Sequence, residues 1–236
     1  MKLSELSVLA FTERVASCDP APGGGSCAAL YGSLGAALTA MVGGMTQNRK
    51  KYAEYENHAK EVEAKCGMLR EKLADVMDRD TAAFLLVSDA YALPKATDEE
   101  KAARSLAIQE GLKACTRTPL EMMELMGEAV ELIASMMDGF NTNCASDLGV
   151  AALSLKAGIL GAWLNVKINT GSLKDKAFAA DAEARGQAVL DRAVPAAEDC
   201  FARLLKMVER KIDNSSLARK RHSITGCLFF CGKLMR

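Results

Sequence analysis

The chain has 236 residues, with 30 basic side chains against 30 acidic ones and a hydrophobic share of 50%. That length suits one large domain or two small ones, and the apolar share supports a core, which excludes a disordered chain. The charge balance excludes a dedicated nucleic-acid or polyanion binder, which carries a basic excess. Abundant glycine (18) and alanine with only 5% aromatics favour closely packed helices over a β-sandwich.

In chain order the pattern predicts a short amphipathic helix over 7–17, ending before Asp19-Pro20. A glycine-rich turn, 22–25, leads into an apolar helix over about 26–47. A long helix over 51–92 stops at Leu93-Pro94. The next, 98–116, has Asp98, Glu99 and Glu100 in its first turn, where acids favour the helix dipole. Pro119 suits a helix first turn, so a separate helix is predicted over 119–137. A polar loop over 141–146 precedes a helix over 147–169. The last helix, 173–212, is expected to kink at Pro195. No alternating strand pattern or fixed-period repeat is present. The expectation is an all-α, single-domain multi-helix bundle over residues 1–213, with a basic and then apolar tail, 214–236, expected to be poorly ordered.

The eight cysteines, at 18, 27, 66, 115, 144, 200, 227 and 231, are scattered with no C-x-x-C pair. They are expected to be reduced thiols filling core space in a cytoplasmic protein, with no metal site. Lys2, Glu5, Glu13 and Arg14 interrupt the N-terminal segment, so no signal-peptide apolar run forms there. The uncharged run over 20–48 is long enough to raise a membrane span. It opens with Pro-Ala-Pro-Gly-Gly-Gly and holds Ser26, Ser33, Thr39, Gln47 and Asn48, so a buried helix of small residues is expected instead.

The long helix 51–92 contains a departure from pattern. Tyr55, Ala59, Val62, Cys66, Leu69, Leu73 and Val76 form an apolar stripe; the next step lands on Asp80, and the stripe resumes at Ala83 and Val87. An ionised carboxylate in such a seam is costly, so Asp80 must be paired or have a raised pKa. The first alternative is a structural ion pair, for instance with Arg79; the second is a general acid/base. In helix 147–169 the residues Asp147, Ala151, Ser154, Gly158, Gly161 and Asn165 share one face with almost no bulk. Such a face allows close helix approach or a groove for a flat ligand. Asn169 lies one turn beyond Asn165, with Asn143 and Ser146 at the other end, and amide and carboxylate groups suit a heterocycle's polar edge.

The turn holding Gly24, Gly25 and Ser26 offers helix N-terminal amides to an anion, but lacks the lysine and preceding strand of a phosphate-binding loop. Arg49, Lys50 and Lys51 either meet a polyanion or favour a helix C-terminus. His58 and His222 have no nucleophile in a recognisable motif. Met122, Met123, Met126, Met136, Met137 and Trp163 read as core.

Taken together, SCDPAPGGGSCAAL, RKKY at 49–52, RDTAAFLLVSDAYALPKATDEEKAAR at 79–104, and NTNCASDLGVAAL followed by GAWLNVKIN within 141–169 resemble the cyclodeaminase/cyclohydrolase family. The resemblance covers about residues 1–212. It implies an all-helical homodimer acting on a tetrahydrofolate one-carbon adduct, mono- or polyglutamylated, without metal, nucleic acid or membrane. Two reactions go with it: closure of 5-formiminotetrahydrofolate to 5,10-methenyltetrahydrofolate with release of ammonia, and hydration of the methenyl compound to 10-formyltetrahydrofolate. The motif blocks look closest to the cyclodeaminase domain. On this reading Asp80 transfers protons, Asp147, Asn165 and Asn169 hold the pterin edge with Asn143 and Ser146 nearby, Gly24, Gly25 and Ser26 bind an anionic or carbonyl group, and Lys50 and Lys51 meet the glutamate tail. A non-catalytic helical dimer is the contrasting expectation.

Overall fold

The structure, a computed structural model, describes the backbone of residues 2–231 and the side chains of residues 2–212. The regular elements among the described residues are helical: α1 (Val8–Val15), α2 (Gly24–Thr46), α3 (Glu56–Ala92), α4 (Asp98–Met136), α5 (Ala145–Gly171) and α6 (Lys176–Cys231), with short 3-10 turns before α1, α3 and α5. Of the tail set apart at 214–236, the backbone to Cys231 belongs to α6; its side chains and residues 232–236 lie outside the described residues.

Helix α2 is central because it carries no charge and little bulk. It packs against α3 and α5, while α4 packs on α3, α5 and α6. A Cβ on Gly35 would stand 2.6 Å from Leu155 Cγ, and one on Gly43 2.9 Å from the Ala59 carbonyl. Glycine at these two positions therefore sets how closely α5 and α3 approach. The stripe Ala151, Gly158 and Gly161 on α5 serves the same contact, with Ala151 and Gly158 buried. Gly24 lies against Asn165 and Met45 against Cys144, so α2 and α5 run antiparallel.

Helix α4 begins with a capping box. Thr97 Oγ1 accepts from the Glu100 amide at 3.2 Å, and Glu100 Oε2 accepts from the Thr97 amide at 3.1 Å. The helix then continues through Pro119, correcting the expectation of two helices. A proline inside a helix withdraws the hydrogen bond to the carbonyl four residues back, here that of Cys115. The Asn169 side chain replaces it, Nδ2 donating to the Cys115 oxygen at 2.7 Å. Pro195 likewise lies inside α6.

The main core holds the α3 residues Val62, Cys66, Leu69, Leu73 and Val76, and the α4 residues Met122, Met123, Met126 and Ile133. A smaller cluster holds Ala83, Val87, Ile108, Leu112, Cys115 and Leu173. Asp80 sits in sequence between the α3 contributions to the two. Cys66, Cys115, Cys144 and Cys200 are buried free thiols, while Cys18 is exposed and Cys27 half-buried; Cys227 and Cys231 lie outside the described side chains. Burial pushes the Cys66 thiol up to about 12 and Cys115 to about 11, so both remain protonated.

The outward face of α2 and α5 is apolar. Tyr31, Leu34, Met41 and Met45 on α2, with Val150, Leu153, Leu160, Leu164 and Ile168 on α5, are exposed, from 40% at Met41 to 75% at Ile168. By length and composition both helices could cross a bilayer, yet the inner face of each is core, with Ala29, Ala36, Val42, Leu148, Leu155 and Ile159 fully buried.

Candidate active site

The glycine-rich turn ends at Gly23, and α2 starts at Gly24 with first-turn amides that have no helical acceptor. The first turn faces Asp80 on α3. A Cβ on Gly25 would collide with the Asp80 carboxyl, both oxygens included, so glycine here is what lets the carboxyl lie against the α2 backbone. Ser26 Oγ stands 3.4 Å from Thr81 Oγ1. Beyond Thr81 a cleft of about 250 Å³ opens, its walls including Arg14, Pro22 and Leu85.

The ion-pair alternative for Asp80 is not what the structure shows. Arg79 turns away, donating to both carboxylate oxygens of Glu121, at 2.9 and 2.7 Å, and to Asp75 at 2.7 Å. The hydrogen bond to Asp80 comes from a neutral group: Thr118 Oγ1 on α4 donates to Oδ1 at 2.9 Å. Burial raises the Asp80 pKa above the ordinary carboxylate value, and the Thr118 hydroxyl lowers it in part. A carboxyl without a cation, near neutral donors and with a raised pKa, can exchange a proton with a bound molecule at moderate pH.

The C-terminal part of α5 closes the other side. A Cβ at Gly24 would lie 3.8 Å from Asn165 Nδ2. That amide donates to the Gly161 carbonyl at 2.9 Å, and Asn169 Nδ2 donates to the carbonyls of Cys115 (2.7 Å) and Asn165 (2.8 Å). With both NH₂ groups committed to backbone, each side chain keeps its Oδ1 as an acceptor.

The structure thus brings Asp80, Gly24, Gly25, Ser26, Asn165 and Asn169 together. It does not bring the remaining candidates to them. Lys51 lies over the Tyr52 ring at 5.1 Å, and the Tyr52 hydroxyl is 3.2 Å from Thr142 Oγ1. Lys50 opens the same turn, Lys50–Tyr55. Asn143 accepts from Lys211 at 2.5 Å, and Asn143 and Ser146 line a cleft with Lys211 and Ile212. Asp147 lies in the first turn of α5. These residues occupy the end of the bundle where α2 finishes, its last carbonyls met by the Asn141 side chain at Met45 (2.9 Å). Since α2 has 23 residues, the two groups are separated by about 35 Å of helix, and one pterin cannot touch both.

Thr118 was not among the sequence candidates. The available signal was its place before Pro119, a proline deep in a long helical pattern, but a threonine one residue from a helix break carries no address for its partner. Among the described residues no three His, Cys, Asp or Glu side chains gather as a metal-holding group.

The fold and site define a helical bundle that presents a half-buried acid beside a helix N-terminus and two acceptor amides. Residues 7–188 match the family model described as Formiminotransferase-cyclodeaminase, and the chain belongs to that family. It is 46% identical over 169 residues to a methenyltetrahydrofolate cyclohydrolase from Methylorubrum extorquens, covering 72% of this chain and 81% of that protein. It is 36% identical over 176 residues to formimidoyltransferase-cyclodeaminase from Rattus norvegicus, covering 75% of this chain but 32% of the rat protein, so it spans about a third of that longer relative. The crystal structure of formiminotetrahydrofolate cyclodeaminase from Thermotoga maritima superposes with a TM-score of 0.75 at 26% identity, over 89% of this chain and 100% of that one.

Proposed function

We propose that the protein catalyses proton-assisted addition and elimination at the one-carbon unit between N5 and N10 of tetrahydrofolate, and that Asp80 moves the protons. The carrying observation is the Asp80 carboxyl itself: half-buried, paired with no cation, held by Thr118 and set against Gly25. Of the two reactions, hydration of 5,10-methenyltetrahydrofolate to 10-formyltetrahydrofolate is favoured by the 46% identity to a cyclohydrolase of similar extent. This shifts the weight from the cyclodeaminase preference drawn from the motif blocks. Water adds to the methenyl carbon and gives one proton to the Asp80 carboxylate. The carbon–N5 bond then breaks with its electrons on N5, Asp80 returns the proton to N5, and the remaining hydroxyl proton leaves to solvent as the formyl group forms. General acid/base transfer of this kind contributes about 10²–10⁴-fold.

The likeness to the Thermotoga cyclodeaminase supports the second reading. There N10 attacks the carbon of the protonated formimino group, Asp80 takes the N10 proton and passes it to the amino nitrogen of the tetrahedral intermediate, and that nitrogen leaves as ammonia as the methenyl cation forms. The acid, its neighbours and the tetrahedral carbon are common to both.

The acceptor oxygens of Asn165 and Asn169 suit the donor groups of a pterin edge, and the amides of Gly24, Gly25 and Ser26 suit a carbonyl or anionic group. Asn143, Ser146 and Asp147 have no place around this pterin within one protomer, and Lys50 and Lys51, expected at the glutamate tail, lie at the same far end. We also read the apolar face of α2 and α5 as the seat of a second copy. Its nine large apolar side chains, 40% to 75% exposed, make an apolar surface of the kind that marks an association site. The pairs Lys156–Glu198 and Lys167–Glu183 tie the lysines of α5 to α6.

The deciding experiment follows methenyl absorbance with methenyl-, 10-formyl- and 5-formiminotetrahydrofolate in separate assays. Interconversion of the first two with no ammonia from the third supports the cyclohydrolase; ammonia release supports the second reading; inactivity with all three sinks both. Asp80→Asn that binds folate yet turns over normally removes Asp80 from the mechanism.

A further inference from the structure

Thr118 occupies an unusual position. It is 7% exposed on α4, immediately before a proline that interrupts the helix ladder. Its hydroxyl does not return to its own helix, as those of Thr116 (to Leu112, 2.8 Å) and Thr39 (to Gly35, 2.8 Å) do. It crosses to α3 and donates to Asp80 Oδ1. The other carboxyl oxygen, Oδ2, is the atom nearest the Cβ position of Gly25, on the side of the α2 N-terminus.

We propose that Thr118 is a positioning residue: by holding Oδ1 it fixes the carboxyl plane and makes Oδ2 the oxygen that exchanges the proton. This rests on the reading of Asp80 as the acid/base. Two features make the bond directional. Thr118 Oγ1 has one hydrogen to donate, so an ionised Asp80 receives it at Oδ1 and a proton added to the carboxyl goes to Oδ2. The α4 backbone is fixed here by the Asn169 bond to the carbonyl that Pro119 leaves without a helical donor, which sets the register of Thr118 against α3.

The surroundings leave the hydroxyl as the main specific influence on the acid. From α4 the titratable neighbour is the Cys115 thiol, which stays protonated. Arg117 lies over the Phe178 ring at 5.2 Å. On α3, Arg79 is engaged by Glu121 and Asp75. Helix α2 has no charged residue, and Lys156 and Lys167 of α5 are paired with α6.

The test compares Thr118→Val and Thr118→Ser with the full-length wild type, reading the Asp80 carboxyl titration by carbon-13 NMR and the pH profile of turnover. Valine removes the donor at nearly constant shape. The Asp80 titration and the matching limb of the profile should both move up by about one pH unit, with kcat falling about tenfold and KM changing little; serine should restore both. A valine variant whose Asp80 titration is unchanged overturns the proposal, even if turnover falls through lost packing. A shifted titration alongside normal turnover of Asp80→Asn sinks the acid/base reading, and with it any catalytic meaning of Thr118. The two failures are therefore told apart.

Discussion

The side-chain amide of Asn169 on α5 donates to the main-chain carbonyl of Cys115 on α4, at 2.7 Å, the carbonyl that Pro119 deprives of its helical partner. One side chain thus mends a broken ladder in another helix beside the candidate acid. An asparagine that sequence reading offers as a ligand contact acts first as a splice between helices.

If so, Asn169→Ala leaves a buried carbonyl unpaired and costs about 1–3 kcal/mol. Pro119→Ala restores an amide donor at that carbonyl, so the cost of Asn169→Ala should shrink in its presence. A double-mutant cycle by denaturant unfolding measures this coupling; strictly additive effects would mean that the two residues act independently.

The Asp80 carboxyl has a pKa raised by burial. Between about pH 4, where an unfolded aspartate titrates, and its raised folded value, the native state holds more protons than the unfolded one. The contribution of Asp80 to stability therefore falls as pH rises through that window and levels off above it. Asp80→Asn removes this dependence. The Tm difference between the variant and the wild type should move in the variant's favour with rising pH, as scanning calorimetry at several pH values can follow; a pH-independent difference contradicts the raised pKa.

Gly24 and Gly25 are adjacent but not equivalent. Gly25→Ala drives a methyl group into the Asp80 carboxyl and should reduce turnover at least tenfold as well as lowering Tm. At Gly24 the same change meets only Asn165 Nδ2, at an ordinary 3.8 Å, so the fold should tolerate it. Equal thermal effects from the two alanines would show that the carboxyl is not packed against Gly25.

Leu164 and Ile168 are 69% and 75% exposed on the outward face of α5. A dimer seated there should dissociate when both become glutamate, giving a folded monomer by light scattering with little loss of helix signal. A wild-type chain that is already monomeric at assay concentrations refutes this seat for the second copy.

Much of this was legible in the chain itself. Residue periodicity located the apolar seam of α3 and showed Asp80 as its one acidic interruption, because helical spacing puts residues three and four apart on one face whatever the rest of the molecule does. The glycine turn and the small residues of α2 likewise announced a close-packed helix. Pro119 misled, because a proline's cost to a helix depends on whether another element supplies the missing donor, and Asn169 lies 50 residues away in sequence.

What the sequence by itself determined is the helices other than the continuity of α4 through Pro119, their buried faces and the acid that does not belong among them, all properties of short-range spacing. The tertiary structure decided which ends meet. The antiparallel run of α2 against α5 places Asn165 and Asn169 beside Gly24 and carries Asn143, Ser146, Asp147, Lys50 and Lys51 to the far end, and the α3–α4 contact gives Asp80 its threonine. Those pairings depend on how whole helices pack, and no local pattern encodes the distance between residues on different helices.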